Sequence, residues 1–191
     1  MNLRKEKEIV MEELYETLAS QDESMSLLNE IESFLNSNES SEASLETILT
    51  LVLDHLQCSA GTVHILDESS GMLVLRAAKG VPAIVLDRVR VVPIGKGMAG
   101  LAAERRQPVQ VCNLQSDQSG VAKPMARETK MAGSIAVPMM VGKRLYGVLG
   151  VAKPVTYEFD QAEISLLLQI GSFMAKQFDH SAGHNPLPLE A

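Results

Sequence analysis

Residues 134–152 read SIAVPMM, then Val141-Gly142-Lys143, then RLYGVLGVA. Two apolar runs joined by a tight turn form a hairpin, and a hairpin commits its strands to antiparallel pairing. Four more segments read as strands: 61–68 (GTVHILDE), 72–78 (MLVLRAA), 88–92 (RVRVV) and 108–112 (PVQVC). The first two of these join through a turn at Ser69-Ser70-Gly71. The expectation is an α/β chain of the α+β type, built on a six-stranded, largely antiparallel sheet. Residues 113–133, rich in Ser, Gln and Lys, are too long for a simple connector. They are expected to hold a short helix or two over one face of the sheet.

The two ends of the chain are helical in pattern. Leu27, Leu28, Ile31, Phe34 and Leu35 recur at spacings of three and four, within a helix placed over 3–36. The polar piece ASQDES (19–24) is expected to interrupt or bend that helix. A polar break, NSNESSEAS (36–44), precedes a second helix with Leu45, Ile48, Leu49, Val52 and Leu56 on one face. The last helix starts at FDQAE, where Asp160 reads as N-cap and Glu163 as its capping-box partner. Its apolar residues spread over two faces, which implies burial on two sides. The expected organisation is a helical extension over 1–23, a folded domain over 24–179 and a disordered tail over 180–191.

Charge divides the chain. Residues 1–58 carry thirteen acids against three bases, a net of −10, whereas residues 59–191 carry eleven against fourteen, a net of +3. The overall charge of −7 argues against a nucleic-acid partner. No signal peptide is visible at MNLRKEKEIV. No apolar run reaches the roughly 18–20 residues needed to cross a bilayer. The two cysteines, Cys58 and Cys112, lack metal-type spacing. The expected location is a reducing cytoplasm, with free thiols and no membrane contact.

Gly95-Lys96-Gly97-Met98-Ala99-Gly100 matches G-x-G-x-x-G, the dinucleotide fingerprint. That fingerprint opens the first strand–helix–strand unit of a parallel sheet. Here helices and three apparent strands precede it, and the strands form hairpins. A different use of glycine fits better: a sharp turn into a short helix. The N–H groups at that helix start can bind an anion or a polar ligand edge. The plain alternative is a tight strand-to-helix turn with no ligand.

The order of PIGKGMAG, AAERRQPVQVCNLQSD, SIAVPMMVGKRLYGVLGVAK and FDQAEISLLLQI resembles the GAF domain, a small-molecule sensor fold, over about residues 24–179. The resemblance, to a stand-alone bacterial-type member, implies a six-stranded sheet with helices on both faces. Its enzymatic members, the free methionine-(R)-sulfoxide reductases, carry GVCG where this chain has Gly97-Met98-Ala99-Gly100, so Ala99 replaces the reactive cysteine. Bilin-binding members attach their chromophore to a Cys, often followed by His; this chain has no Cys-His pair and no Cys in the long loop. Cyclic-nucleotide members carry N-K-x-F-x-x-x-D-E with variable spacing, matched here by Ala152, Lys153, Phe159, Ala162 and Glu163. That set implies a structural tie in which Lys153 pairs with Asp160 or Glu163.

Carried over from the resemblance, the ligand contacts are Thr62, Ala78, Lys79, Met98, Ala99, Val121, Met131 and Gly150. Gly150 and Lys79 stand where acidic contacts to a guanine edge would lie, which argues against cyclic GMP. Lys79, Arg88, Arg90, Lys96, Arg127 and Lys130 would suit a small anionic metabolite, or are solvated surface charges. His64 reads as a satisfied core histidine rather than a ligand contact. The pocket is expected under residues 113–133, with Thr62 and Gly150 as floor and Met98-Ala99 as wall. The expected function is a non-catalytic small-molecule sensor, not an enzyme, without catalytic residues, metal or cofactor. It is expected to act as a homodimer through its N- and C-terminal helices, with Leu27 to Leu35 and helix 161–178 in the interface, and to signal through an unknown protein partner. The alternatives are a reductase-like enzyme and a structural dimerisation module with no ligand.

Overall fold

The computed structural model describes residues 3–37, 42–121 and 128–182. Helices α1 (Leu3–Ser37) and α2 (Glu42–His55) lead into the hairpin β1 (Ala60–Asp67) and β2 (Met72–Lys79). A short helix α3 (Ala83–Val89), strand β3 (Val91–Pro93), helix α4 (Gly97–Arg105) and strand β4 (Val109–Val111) follow. The second hairpin, β5 (Ser134–Val141) and β6 (Arg144–Ala152), precedes the last helix, α5 (Gln161–Ala182). The strands lie in the order β3-β2-β1-β6-β5-β4, and every neighbouring pair is antiparallel.

Alternation along the strands builds two cores. Val63, Leu149 and Val151 face α1, α2 and α5, where Ile31, Ile48, Leu49, Leu167, Ile170 and Met174 are almost wholly buried. On the other face, Leu73, Val148 and Ala136 pack with Ala102 and Ala103 of α4. The register shifts where Met139 pairs with Gly147 but Met140 with Leu145. At that irregularity β1 comes so near that a Cβ on Gly147 would lie 2.1 Å from the His64 carbonyl oxygen. Only glycine fits there.

α5 begins with the expected capping box. Asp160 Oδ1 accepts from the Glu163 N–H at 2.8 Å, and Glu163 Oε2 accepts from the Asp160 N–H at 3.0 Å. Glu163 Oε1 also accepts from the Tyr157 hydroxyl at 3.0 Å and lies 3.6 Å from Lys153 Nζ. The largely buried Lys153 ammonium sits 3.7 Å from the Tyr157 ring centroid. The last strand is thus tied to the last helix through Glu163 rather than Asp160.

Several expectations need correction. α1 is unbroken at 19–24, because no Gly or Pro lies there and the polar side chains are met by solvent. The stripe from Leu27 to Leu35, expected at a two-fold interface, is instead covered by α2 and α5 of the same chain. Gln177 Nε2 on α5 donates to the Leu35 carbonyl at 3.2 Å. Arg88 and Val89 belong to α3, not to a strand, since β3 starts only at Val91. The described part of 113–133 holds no α-helix; Asn113 and Asp117 fold local turns by accepting from the N–H groups of Gln115 and Ser119. α5 extends to Ala182, so the first three residues of the expected tail are helical, and 183–191 lie outside the described residues.

Candidate functional site

Small residues at the middle of the sheet leave room on the α4 side. Thr62 of β1 pairs with Gly150 of β6, and Gly150 pairs with Ala136 of β5. A Cβ on Gly150 would meet Thr62 Oγ1 at 3.1 Å, so glycine there preserves the space. Above this floor lies a cavity of about 200 Å³. Its walls are Val85 and Val89 of α3, Met98 and Ala99 of α4, and Leu114 and Met131 from the segment after β4. The lining is mostly apolar, as small-molecule sites are.

The glycines of the 95–100 motif shape the α4 wall. Gly95 and Gly97 adopt φ of +79° and +65°, in the left-handed region. A Cβ on Gly100 would lie 2.3 Å from the Pro93 carbonyl oxygen, so α4 is pressed against the end of β3. The motif therefore makes a sharp turn into a short helix, and the start of that helix lines the cavity. Lys96 caps α4 without a side-chain hydrogen bond, and no acidic residue occupies the first turn. The first N–H groups of a helix have no intrahelical partner.

His64 is the polar group at the centre of this arrangement. It is 2% exposed and lines the cavity. Its Nε2 lies 2.8 Å from the Val89 carbonyl, which can only accept, so Nε2 carries the proton and Nδ1 is left as an acceptor. Nδ1 is buried and has no hydrogen-bond partner among the described residues. Burial lowers the pKa of His64, and the Val89 carbonyl opposes that shift, so the ring is neutral at pH 7. The expectation of a satisfied core histidine holds for one nitrogen and fails for the other.

Five of the eight expected ligand contacts line the cavity together: Thr62, Met98, Ala99, Met131 and Gly150. Three do not. Ala78 lies beyond Thr62 on β2 as its register partner. Lys79 turns toward the opposite face, where Nζ donates to Thr50 Oγ1 of α2 at 3.1 Å. Val121 packs half-buried against the α4-side core. Of the expected basic rim, Arg88 and Lys96 line the cavity with exposed side chains, and Arg127 lies outside the described residues. Arg90 is 3.2 Å from Asp87 on its own stretch of chain. No Asp or Glu lines the cavity among the described residues. Sequence reasoning missed Val85 and Val89 because it missed α3.

Neither cysteine lines the cavity. Burial pushes the Cys58 thiol up to about 12, against the opposing effect of Lys153, and Cys112 is exposed. No three described His, Cys, Asp or Glu side chains converge as metal ligands would. No helix among the described residues is long and apolar enough to cross a membrane.

The family model described as GAF domain matches residues 38–176. The chain is 27% identical over 109 residues to protein YtsP of Bacillus subtilis, a match spanning 57% of this chain and 61% of that relative. Among solved structures it is similar to the GAF domain of a phosphoenolpyruvate-protein phosphotransferase from Coxiella burnetii. That match has a TM-score of 0.73 and 20% identity, covering 84% of this chain and 95% of the other. It is also similar to the free methionine-R-sulfoxide reductase of Neisseria meningitidis in complex with its substrate. There the TM-score is 0.69 and the identity 20%, covering 85% and 92%. The expectation that the chain is not an enzyme is corrected by this likeness: the fold it adopts is also the fold of reductases, so the architecture leaves catalysis open.

Proposed function

The chain belongs to the GAF domain family, and from that premise we propose that it is a small-molecule-binding regulatory module whose ligand occupies the cavity over Thr62 and Gly150. The observation that carries this reading is His64 Nδ1, a buried acceptor without a partner beside an apolar cavity. Leaving such a group unpaired costs about 1–3 kcal/mol, which a ligand donor can recover. The module works in the cytoplasm as a homodimer and relays occupancy to a protein partner.

The pairing surface in this proposal is the stretch of α1 from Met11 to Met25. Met11, Leu14, Leu18 and Met25 are exposed and fall on one heptad seam, with Gln21 between the last two. A second copy of the helix would cover them.

Native mass spectrometry of protein purified from its own host tests the ligand reading. The wild-type protein should carry a small molecule, and Ala99→Trp, which fills the cavity, should lose it while keeping the helical signal. A folded Ala99→Trp protein that retains the molecule would place the site elsewhere.

A further inference from the structure

We propose that the ligand is a neutral aromatic molecule of one or two fused rings, whose O–H or N–H donates to His64 Nδ1. The inference rests on the cavity being the ligand site and adds its chemistry.

His64 sets the polar requirement. With Nε2 donating to the Val89 carbonyl, the neutral ring presents Nδ1 as a buried acceptor without a partner among the described residues. Only an O–H or N–H donor satisfies it. A carboxylate would set one acceptor against another.

The walls disfavour charge. Val85, Val89, Met98 and Met131 are apolar, and a full charge of either sign would give up its water against them. Nor does the rim select an anion. Arg88 and Lys96 are exposed there, but Arg88 is already engaged within the chain. The Glu104 carboxylate stands beside Lys96: a Cβ on Gly95 would lie 2.8 Å from Glu104 Oε1. The start of α4 therefore carries both signs of charge.

Size and wall chemistry choose the body. The cavity measures about 200 Å³. A dry apolar cavity of about 150 Å³ accepts benzene, so a substituted ring or a fused pair fits here. Met98 and Met131 place two thioethers on the walls, and thioether sulfur makes favourable contacts with aromatic edges.

Calorimetric titration with two pairs of matched shape isolates the donor. In p-cresol and p-xylene a hydroxyl is exchanged for a methyl; in indole and indene an N–H is exchanged for a methylene. Wild-type protein should bind p-cresol and indole at least about tenfold more tightly than their partners. It should also prefer p-cresol to p-toluate, the anion of the same ring, by at least about tenfold. His64→Leu should erase both donor preferences. If that variant fails to fold, the His64 ring nitrogen resonances of the wild type give the same answer: p-cresol should move Nδ1, and p-xylene should not. Equal binding within both pairs would overturn the role of His64. Binding of p-toluate as tight as that of p-cresol would overturn the neutral class. Failure of every probe, with a host metabolite retained by wild type and lost by Ala99→Trp, would overturn the aromatic class and leave the cavity as the site. Failure of every probe together with retention by Ala99→Trp would overturn both.

Discussion

His64 on β1 and Val89, the last residue of α3, are joined by a 2.8 Å hydrogen bond from the ring Nε2 to the backbone carbonyl. The bond fixes the tautomer of a buried ring and holds α3 over the sheet. Burial of the ring, which the bond to Val89 opposes without cancelling, makes stability depend on pH. The folded-state pKa of His64 lies below its ordinary 6.5, chiefly because burial penalises the charged ring. Its contribution is therefore fully present above the unfolded pKa and lost as pH falls from about 6.5 through the lower folded value. Tm should drop as pH is lowered from about 7.5 to about 5, and His64→Gln should flatten that slope. An identical slope in the variant would remove His64 as its source.

Gly147→Ala tests the close approach of β1 and β6. Its new Cβ would fall 2.1 Å from the His64 carbonyl oxygen, a backbone atom that cannot step aside. Urea denaturation should show a loss of about 3 kcal/mol, in the upper range of overpacking effects. A loss below about 0.5 kcal/mol, as at an ordinary surface site, would mean the strands are further apart than described.

Glu163→Gln separates the ion pair from the capping box. The amide oxygen can still accept from the Asp160 N–H, while its NH2 takes the place facing the Tyr157 hydroxyl, which can turn to accept; the change leaves the buried Lys153 ammonium without its carboxylate. The expected cost is about 2–3 kcal/mol, less than for a fully isolated buried charge because the Tyr157 ring still faces Lys153. Pairing it with Lys153→Met should recover most of that loss. An additive double variant would show that the two side chains act independently.

Sedimentation distinguishes the two leucine stripes of α1. Leu14→Glu with Leu18→Glu should convert a two-chain particle to a single folded chain. Ile31→Glu should unfold the protein instead, since Ile31 is 0% exposed inside one chain. Added salt should strengthen the wild-type pair, because two copies of an acidic helix repel each other. A wild-type mass of one chain at micromolar concentrations would end the dimer proposal.

The sheet was legible because its signals are local. The turns at Ser69-Ser70-Gly71 and Val141-Gly142-Lys143 fix two hairpins, and Asp160 with Glu163 marks the start of α5. The α3 region was not legible. Arg and Val alternate in RVRVV (88–92), and a seven-residue helix is too short to establish its own period against that pattern. The stripe from Leu27 to Leu35 announces burial, but periodicity does not say whether the cover comes from the same chain or from a copy. Likewise, Thr62 and Gly150 could be placed by their strands. The open valence of His64 depends on where the Val89 carbonyl lands, which follows only from the folded α3. Lys79 was misplaced because its side chain crosses to Thr50, a partner twenty-nine residues earlier in the chain.

The pairing of β1 with β6 has a consequence for how the protein is made. Each hairpin is a local product and closes on the microsecond scale by itself. The central seam is not local: Thr62 must wait for Gly150, and Ala60 for Ala152. A chain emerging from the ribosome holds the first hairpin with its inner edge unpaired until the second has been synthesised. Loop-closure entropy makes that joining the slow step. The cavity has its floor split across the seam, so it comes into being only at that last event. A nascent or truncated chain lacking β6 has no Gly150 and only part of the floor, so the formed cavity is a signature of completed folding.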